Sequence, residues 1–326
     1  MPWKHSLLTA LILALAGAVL AFSAPACASD YPNRPIRLIV PFTPGGINDV
    51  VGRIVAAHLG ERLGKQVVVD NRSGAGGVVG TELAANAPKD GYTLLIISIA
   101  SAVNPWLYKV PYEPVASFAP VAILASAPTV IAVHPDLPAK SIKELVALAK
   151  RKPGELTYAS SGVGTSLHLA GELFRMTAGI DILHVPFRGA APALIDVAGG
   201  NSKIAFGSVT STIAFIRSGK VRPLGVGDLK RSSALPDVPT VDEAGVPGYE
   251  AGNWIGIVAP AGTPPDIVAK LHREISAMQD SAEVRKQFAN EGADIVKMTP
   301  DAFGTFMKDE LAKWGRVVKT ANIKAE

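Results

Sequence analysis

From Ile36 onward the chain alternates short, β-branched apolar runs with longer stretches of helical spacing, and this alternation narrows the fold more than anything else in it. "IRLIVPF", "QVVVDNR", "DGYTLLIIS", "LTYAS", "DILHVPF", "KIAFGSV" and "VRPLGVG" are short and apolar enough to be strands. "APVAILASAPTVIAVHP" covers two more strand-like segments. Between them, "DVVGRIVAAHLGERLG", "GGVVGTELAANA", "SLHLAGELFRMTAG", "APALIDVAGG" and "TIAFIRSGK" read as helices. "SIKELVALAKRKPG" opens on the cap Ser141, has Glu144 at its third helical position and stops at Pro153-Gly154. Three more helices, in "PPDIVAKLHREISAMQ", "SAEVRKQFANEG" and "PDAFGTFMKDELAKWGRVVKTA", close the chain. Such alternation predicts an α/β fold with mainly parallel sheets. These sheets bind ligands beyond the carboxyl ends of their strands, where strand order reverses. A site is therefore expected in the loops after Phe42, Ser98, Ser160, Phe187 and Phe206.

With 326 residues there is room for two domains. Hydrophobic residues at 48% against charged ones at 18% exclude a disordered chain. The net charge of +4 is small and scattered, and no basic run is interleaved with aromatics, so nucleic acid is not expected as a partner.

The first residues read as a leader. Lys4 and His5 precede an apolar stretch from Leu7 to Phe22, and Ala26-Cys27-Ala28 fits a small-x-small cleavage site. Residues 1–28 are thus expected to be a signal peptide cut near Ala28, which places the mature protein in the periplasm. A membrane anchor is the alternative, but the apolar core is short for a span of about 20 residues. Acylation of Cys27 is the other alternative; Ala24 stands where a lipoprotein signal would have Leu. Cleavage would remove Cys27, the one cysteine, leaving neither disulfide nor thiol nucleophile.

Three glycine-rich turns follow strands. Thr43-Pro44-Gly45-Gly46-Ile47-Asn48-Asp49 reads equally as a plain βα connector with an Asn or Asp cap and as an anion cradle. In the second reading glycine lets backbone approach a ligand and the following helix aims free N–H groups at it. "NRSGAGGVVG" nearly spells a dinucleotide fingerprint, but Val79 stands where the third glycine belongs and Gly80 comes one place late. "YASSGVGTSLHLAGELF" sets Ser160, Ser161, Thr165 and Ser166 around Gly162 and Gly164 just before a helix. This is the densest group of hydroxyl and N–H donors in the chain, suited to an anion or simply to capping. Neither a G-x-S-x-G elbow nor a phosphate loop is present, and no histidine pair has metal-ligand spacing. His168, behind the serine loop, and His184, in a strand, read more readily as hydrogen-bonded structural residues than as bases. No metal and no cofactor is expected, and a monomer is.

The chain resembles the substrate-binding receptors of tripartite tricarboxylate transporters, the Bug family. The resemblance rests on "YPNRPIRLIVPFTPGG", "QVVVDNRSGAGGVVGTELAANAPKDGYTLL", "NPWLY", "LTYASSGVGTSLHLAGELF", "HVPFRGAAPALIDVAGG", "SGKVRPLGV", "ALPDVPTVDEAGVPGYE" and "WIGIVAPAGTP", in family order from Tyr31 on. It implies a two-domain, hinged periplasmic binding protein of the type II-like kind, with the ligand cleft between the two sheets. Domain one would comprise residues 29–130 and 228–326 and domain two residues 131–227, with crossings near Thr129–His134 and Gly225–Asp228. It also implies a small carboxylate ligand (a di- or tricarboxylate or an aromatic acid) passed to membrane transporter subunits. The site carried over comprises Phe42, Thr43, Gly45, Gly46, Ile47, Asn48 and Asp49, and Ser98 and Ser101 of the loop from Ser98 to Asn104. From domain two it takes Ser160, Ser161, Gly162, Gly164, Thr165, Ser166, His168, Arg188, Gly189, Ala190, Gly207 and Ser208. The chain departs from the family pattern at Thr43, Ile47-Asn48, Lys203 and Gly207, where members often carry Pro, Gly-Thr or Gly-Ser, and Asp. That argues against an amino-acid ligand. Two other readings remain, a ligand-sensing receptor for a sensor kinase and an exported serine hydrolase.

Overall fold

The computed structural model describes residues 31–42, 44–187 and 189–324. The leader with Cys27, and the site candidates Thr43 and Arg188, lie outside the described residues. Residues 34–324 belong to one compact unit, and everything below concerns it.

The strands are β1 (Ile36–Val40), β2 (Val67–Asn71), β3 (Thr93–Ser98), β4 (Phe118–Ala127), β5 (Thr129–Val133), β6 (Thr157–Ser160), β7 (Leu183–Pro186), β8 (Ile204–Ser208), β9 (Arg222–Val226), β10 (Asn253–Pro260) and β11 (Asp294–Ile295). The helices are α1 (Ile47–Leu63), α2 (Val78–Ala85), α3 (Ile99–Leu107), α4 (Ile142–Arg151), α5 (Ser166–Ala178), α6 (Ala190–Ala198), α7 (Val209–Arg217), α8 (Pro265–Gln279), α9 (Ala282–Asn290) and α10 (Pro300–Thr320). A six-stranded sheet runs β11-β4-β10-β3-β1-β2 and a five-stranded one β7-β6-β8-β5-β9. Helices on both sheets complete the two-domain architecture of a binding protein.

The sheets are mixed, not mainly parallel. β1 lies parallel to β2 and β3, and β6 parallel to β7 and β8. By contrast β10 is antiparallel to β3 and β4, β11 to β4, and β5 to β8 and β9. The parallel pairs are those whose strands are joined through helices such as α1 and α5, and a parallel neighbour needs that long crossover. β4 instead runs into β5 with only Pro128 between them, crossing from one sheet to the other, so β5 enters the second sheet without a helix to reverse it. β10 and the helix α3 are elements that the sequence patterns did not disclose. Pro105 sits in the second half of α3, where it costs one helix hydrogen bond and crowds the carbonyl of Ser101, and the helix ends two residues on at Leu107.

Each sheet has its own reason for cohering. Ile36, Leu38, Leu94 and Ile96 are fully buried in the first. In the second, Tyr158 meets Phe206 edge-on with centroids 5.2 Å apart, and Gly171 of α5 lets that helix lie on the Tyr158 ring, which an added Cβ would overlap. The closing helix α10 returns to the first sheet. There the buried Glu310 accepts hydrogen bonds from the indole N–H groups of Trp254 and Trp314, each at 2.8 Å.

Candidate functional site

Strand order reverses at β1, whose neighbours are β2 and β3, and at β6, whose neighbours are β7 and β8. The loops leaving β1, β3 and β6 open onto one cavity of about 430 Å³. Its first wall is Phe42, Gly46, Ile47, Asn48, Gly76, Ser98, Ile99, Ala100, Asn104, Leu107, Tyr108 and Asn253. The opposite wall is Ser161, Val163, Gly164, Thr165, Ser166 and Leu169. None of these described lining residues is charged.

Three helix N-termini converge here. Gly46 caps α1, Ser98 caps α3 and Thr165 caps α5, and all three caps line the cavity. The first-turn N–H groups of a helix have no partner within it, and its dipole places partial positive charge at that end. Gly46 and Ser98 make no side-chain cap, while the Thr165 hydroxyl accepts from His168 N. Among the described residues the wall is thus positive without carrying a cation, and Phe42, Ile47, Ile99, Leu107, Val163 and Leu169 give it apolar flanks.

The frame behind the wall is built from residues expected in it. Asp49 is buried and takes hydrogen bonds from Gly45 N at 2.8 Å, Arg53 Nε at 3.0 Å and Asn71 Nδ2 at 2.8 Å. Burial opposes its ionisation, but those hydrogen bonds prevail and hold its pKa below the usual carboxylate value. Gly45, with φ +86°, is the left-handed residue of that turn; Gly46, with φ −78°, is extended and needs no glycine freedom. Gly162 is also left-handed, at φ +126°, and an added Cβ would stand 3.1 Å from Phe187 O.

Of the expected site residues, Phe42, Gly46, Ile47, Asn48, Ser98, Ser161, Gly164, Thr165 and Ser166 line the cavity. Gly45, Asp49, Ser101, Ser160, Gly162, His168, Gly189, Ala190, Gly207 and Ser208 do not. Ser101 sits one residue past Ala100 on α3, and at about 100° per residue it turns to a small void beside Trp254 and Met307. Gly189 N donates to Ser161 O from behind the loop. Gly207 passes close to Thr212, where a Cβ would overlap its hydroxyl, and Ser208 caps α7 by accepting from Ser211 N. The described residues of the loops after β7 and β8 do not line the cavity. Gly76, Leu107, Tyr108, Leu169 and Asn253 were not expected. Asn104 and Tyr108, four residues apart, become legible once Ile99–Leu107 is known to be helical; Asn253 depends on where β10 pairs, which no local pattern reveals.

Under the second wall lies a pair of stacked imidazoles. The His168 and His184 ring centroids are 3.9 Å apart, and Tyr158 stacks on the other face of His184 at 4.9 Å. Ser160 Oγ lies 2.7 Å from His184 Nε2, which looks like a nucleophile and its base. Ser160 is fully buried and does not line the cavity, so its hydroxyl is not offered to a substrate. Burial, with Arg175 nearby, lowers the His168 pKa to about 4; burial, with His168 beside it, lowers that of His184 to about 4, against the opposing pull of Glu172.

Native histidines with depressed pKa values refuse protons that the unfolded chain accepts. Above the unfolded value of 6.5 both states are neutral and there is no effect. As pH falls from there toward about 4 the unfolded chain is favoured, by about 1.4 kcal/mol per pH unit for each proton it gains. Urea midpoints should therefore drop between neutral pH and about pH 5, and less steeply in His168→Asn; parallel acid limbs in the two proteins would refute this.

This fold and cavity define a periplasmic-type solute receptor. A family model described as "Tripartite tricarboxylate transporter family receptor" matches residues 51–323. The chain belongs to that family. It is 38% identical over 319 residues to Protein BugT of Bordetella pertussis, covering 96% of this chain and 98% of that one. Among solved structures, R. palustris Rpa4515 with adipate is similar at 36% identity and TM-score 0.77, covering 91% of this chain and 100% of that one. MatC of Rhodopseudomonas palustris with bound malate is similar at 31% identity and TM-score 0.72, covering 88% and 100%.

Proposed function

We propose that this chain is an exported solute-binding protein. It captures a small carboxylate in the cavity between its two sheets and delivers it, in the periplasm, to the membrane subunits of a tripartite transporter. The observation that carries this is the convergence of three helix N-termini on a cavity whose described lining includes no acid. A carboxylate is favoured there, an ammonium is not, and the apolar flanks suit the carbon frame of an aliphatic or aromatic acid. The adipate and malate bound by two relatives of known structure support the same class. The protein acts as a receptor, not an enzyme; the burial of Ser160 weighs against a serine hydrolase.

The working unit is a monomer needing neither metal nor cofactor, with lobes 29–130 plus 228–326 and 131–227. The boundary at 130/131 falls inside β5, whose residues are all paired in the second sheet, so the pivot on this crossing is the junction at Pro128 between β4 and β5. Binding groups come from both walls, so a ligand favours the closed arrangement through its greater affinity for it.

A thermal-shift screen over small carboxylic acids tests this. At about 100 times its dissociation constant an acid should stabilise the fold by roughly 2.7 kcal/mol. Its methyl ester, lacking the charge that the helix ends favour, should give a smaller melting shift and less compaction by small-angle scattering. Equal shifts and equal compaction for acid and ester would defeat the carboxylate reading.

A further inference from the structure

The loop from Ser160 to Thr165 supplies much of the second wall, and its shape depends on two rings that never reach the cavity. Gly164 N donates to His168 Nδ1 at 3.0 Å, so that ring carries its proton on Nε2 and is neutral. At the other end of the loop the Ser160 hydroxyl lies 2.7 Å from His184 Nε2 and 3.4 Å from Gly162 O. Ser160 and His184 are thus hydrogen-bonded side chain to side chain, with the donor set by the His184 tautomer. Ser160 Oγ in turn accepts from Gly162 N at 3.2 Å. The rings brace each other by stacking with an interplanar angle of 12°. Below them Tyr158 OH donates to Glu172 at 2.7 Å, and Arg175 holds the same carboxylate at 2.8 Å. The charges in this network are thus paired with each other and not with the imidazoles.

We propose that His168 and His184 are positioning residues: as neutral rings hydrogen-bonded to Gly164 N–H and to the Ser160 hydroxyl, they aim the loop and the start of α5 into the cavity. Neither ring touches the ligand. The effect on binding rests on the carboxylate reading of the cavity; the effect on the loop does not.

Two measurements separate these levels. The first is hydrogen exchange at the Gly164 amide of the unliganded protein. The second is calorimetric titration with malate, adipate and benzoate. In His168→Leu the Gly164 amide should exchange at least about tenfold faster, and affinity for whichever of the three acids the wild type binds should fall at least about tenfold, the worth of one lost hydrogen bond. His168→Asn, whose Oδ1 can stand in for Nδ1, should bring both back to within about threefold of wild type. Unchanged exchange in His168→Leu, or an Asn variant no better than the Leu variant, overturns the proposal. If the wild type binds none of the acids, the carboxylate reading fails while the exchange result still decides the role of His168. Should His168→Leu not fold, Ser160→Ala serves instead. It leaves both rings in place and should speed exchange at the Gly162 amide at least about tenfold; no change there equally overturns the proposal.

Discussion

Gly164→Val should lose carboxylate binding at least a hundredfold, about 2.7 kcal/mol, while both sheets stay folded. Gly164 has φ +73°, a region a β-branched residue enters at a cost of about 1–3 kcal/mol. Its added Cβ would also lie 2.9 Å from Leu107 Cδ1, on the facing wall of the cavity. Two responses are open to the protein. Either the loop leaves its left-handed turn and breaks the hydrogen bond from Gly164 N to His168, or the valine stays and pushes Leu107 into the ligand's space. Both remove the site. The strain falls in a loop and not in a core, so the melting midpoint should drop by no more than about 5 °C. Titration calorimetry with an acid recovered by the screen, beside a melting curve, checks this. Affinity within threefold of wild type would show that the loop is not part of the binding surface.

Glu310→Leu should destabilise the fold by about 3–5 kcal/mol. One carboxylate oxygen accepts from both Trp254 and Trp314, and the other from Lys313 Nζ at 2.9 Å. Trp254 is 5% exposed and Trp314 not at all, so without the carboxylate two indole N–H groups stay buried with no acceptor, at about 1–3 kcal/mol each. Glu310→Gln should lose less than half as much. Its single oxygen can still serve both indoles, although its amide then faces the Lys313 ammonium. The site should suffer as well, because Trp254 follows Asn253, which lines the cavity. Urea unfolding compares the three proteins. A leucine variant within about 1 kcal/mol of wild type would mean that α10 docks by apolar packing alone.

The parts of the site that were legible beforehand are those written in contiguous residues. Glycines between an apolar run and a helical one, joined by Pro44 in the first case, mark a strand-to-helix turn, and that is where Gly46 and Thr165 stand. The same local logic picked Ser98 from its place at the end of an apolar run. Ser101, Gly189 and Gly207, which the family resemblance supplied, do not line the cavity. Without the helical phase of "IASAVNPWL" no local pattern says which of its residues face the cavity, and a glycine kept for tight packing or for a turn behind the wall looks in sequence like one kept for a ligand.

What the sequence determined by itself is the order of most strands and helices and which turns end at a helix N-terminus, both of which rest on spacing and backbone preferences within a few residues. The family rests instead on a resemblance of motifs along the chain from Tyr31 on. Only the tertiary structure decided that β5 and β10 run antiparallel to their neighbours, that Asn253 joins the cavity, and that Asp49, Ser160 and His168 stand behind its wall. Those outcomes depend on contacts between residues far apart in the chain. Whether a polar group meets a ligand or a buried partner is settled by what packs against it, as Arg53 and Asn71 do for Asp49 and His184 does for Ser160.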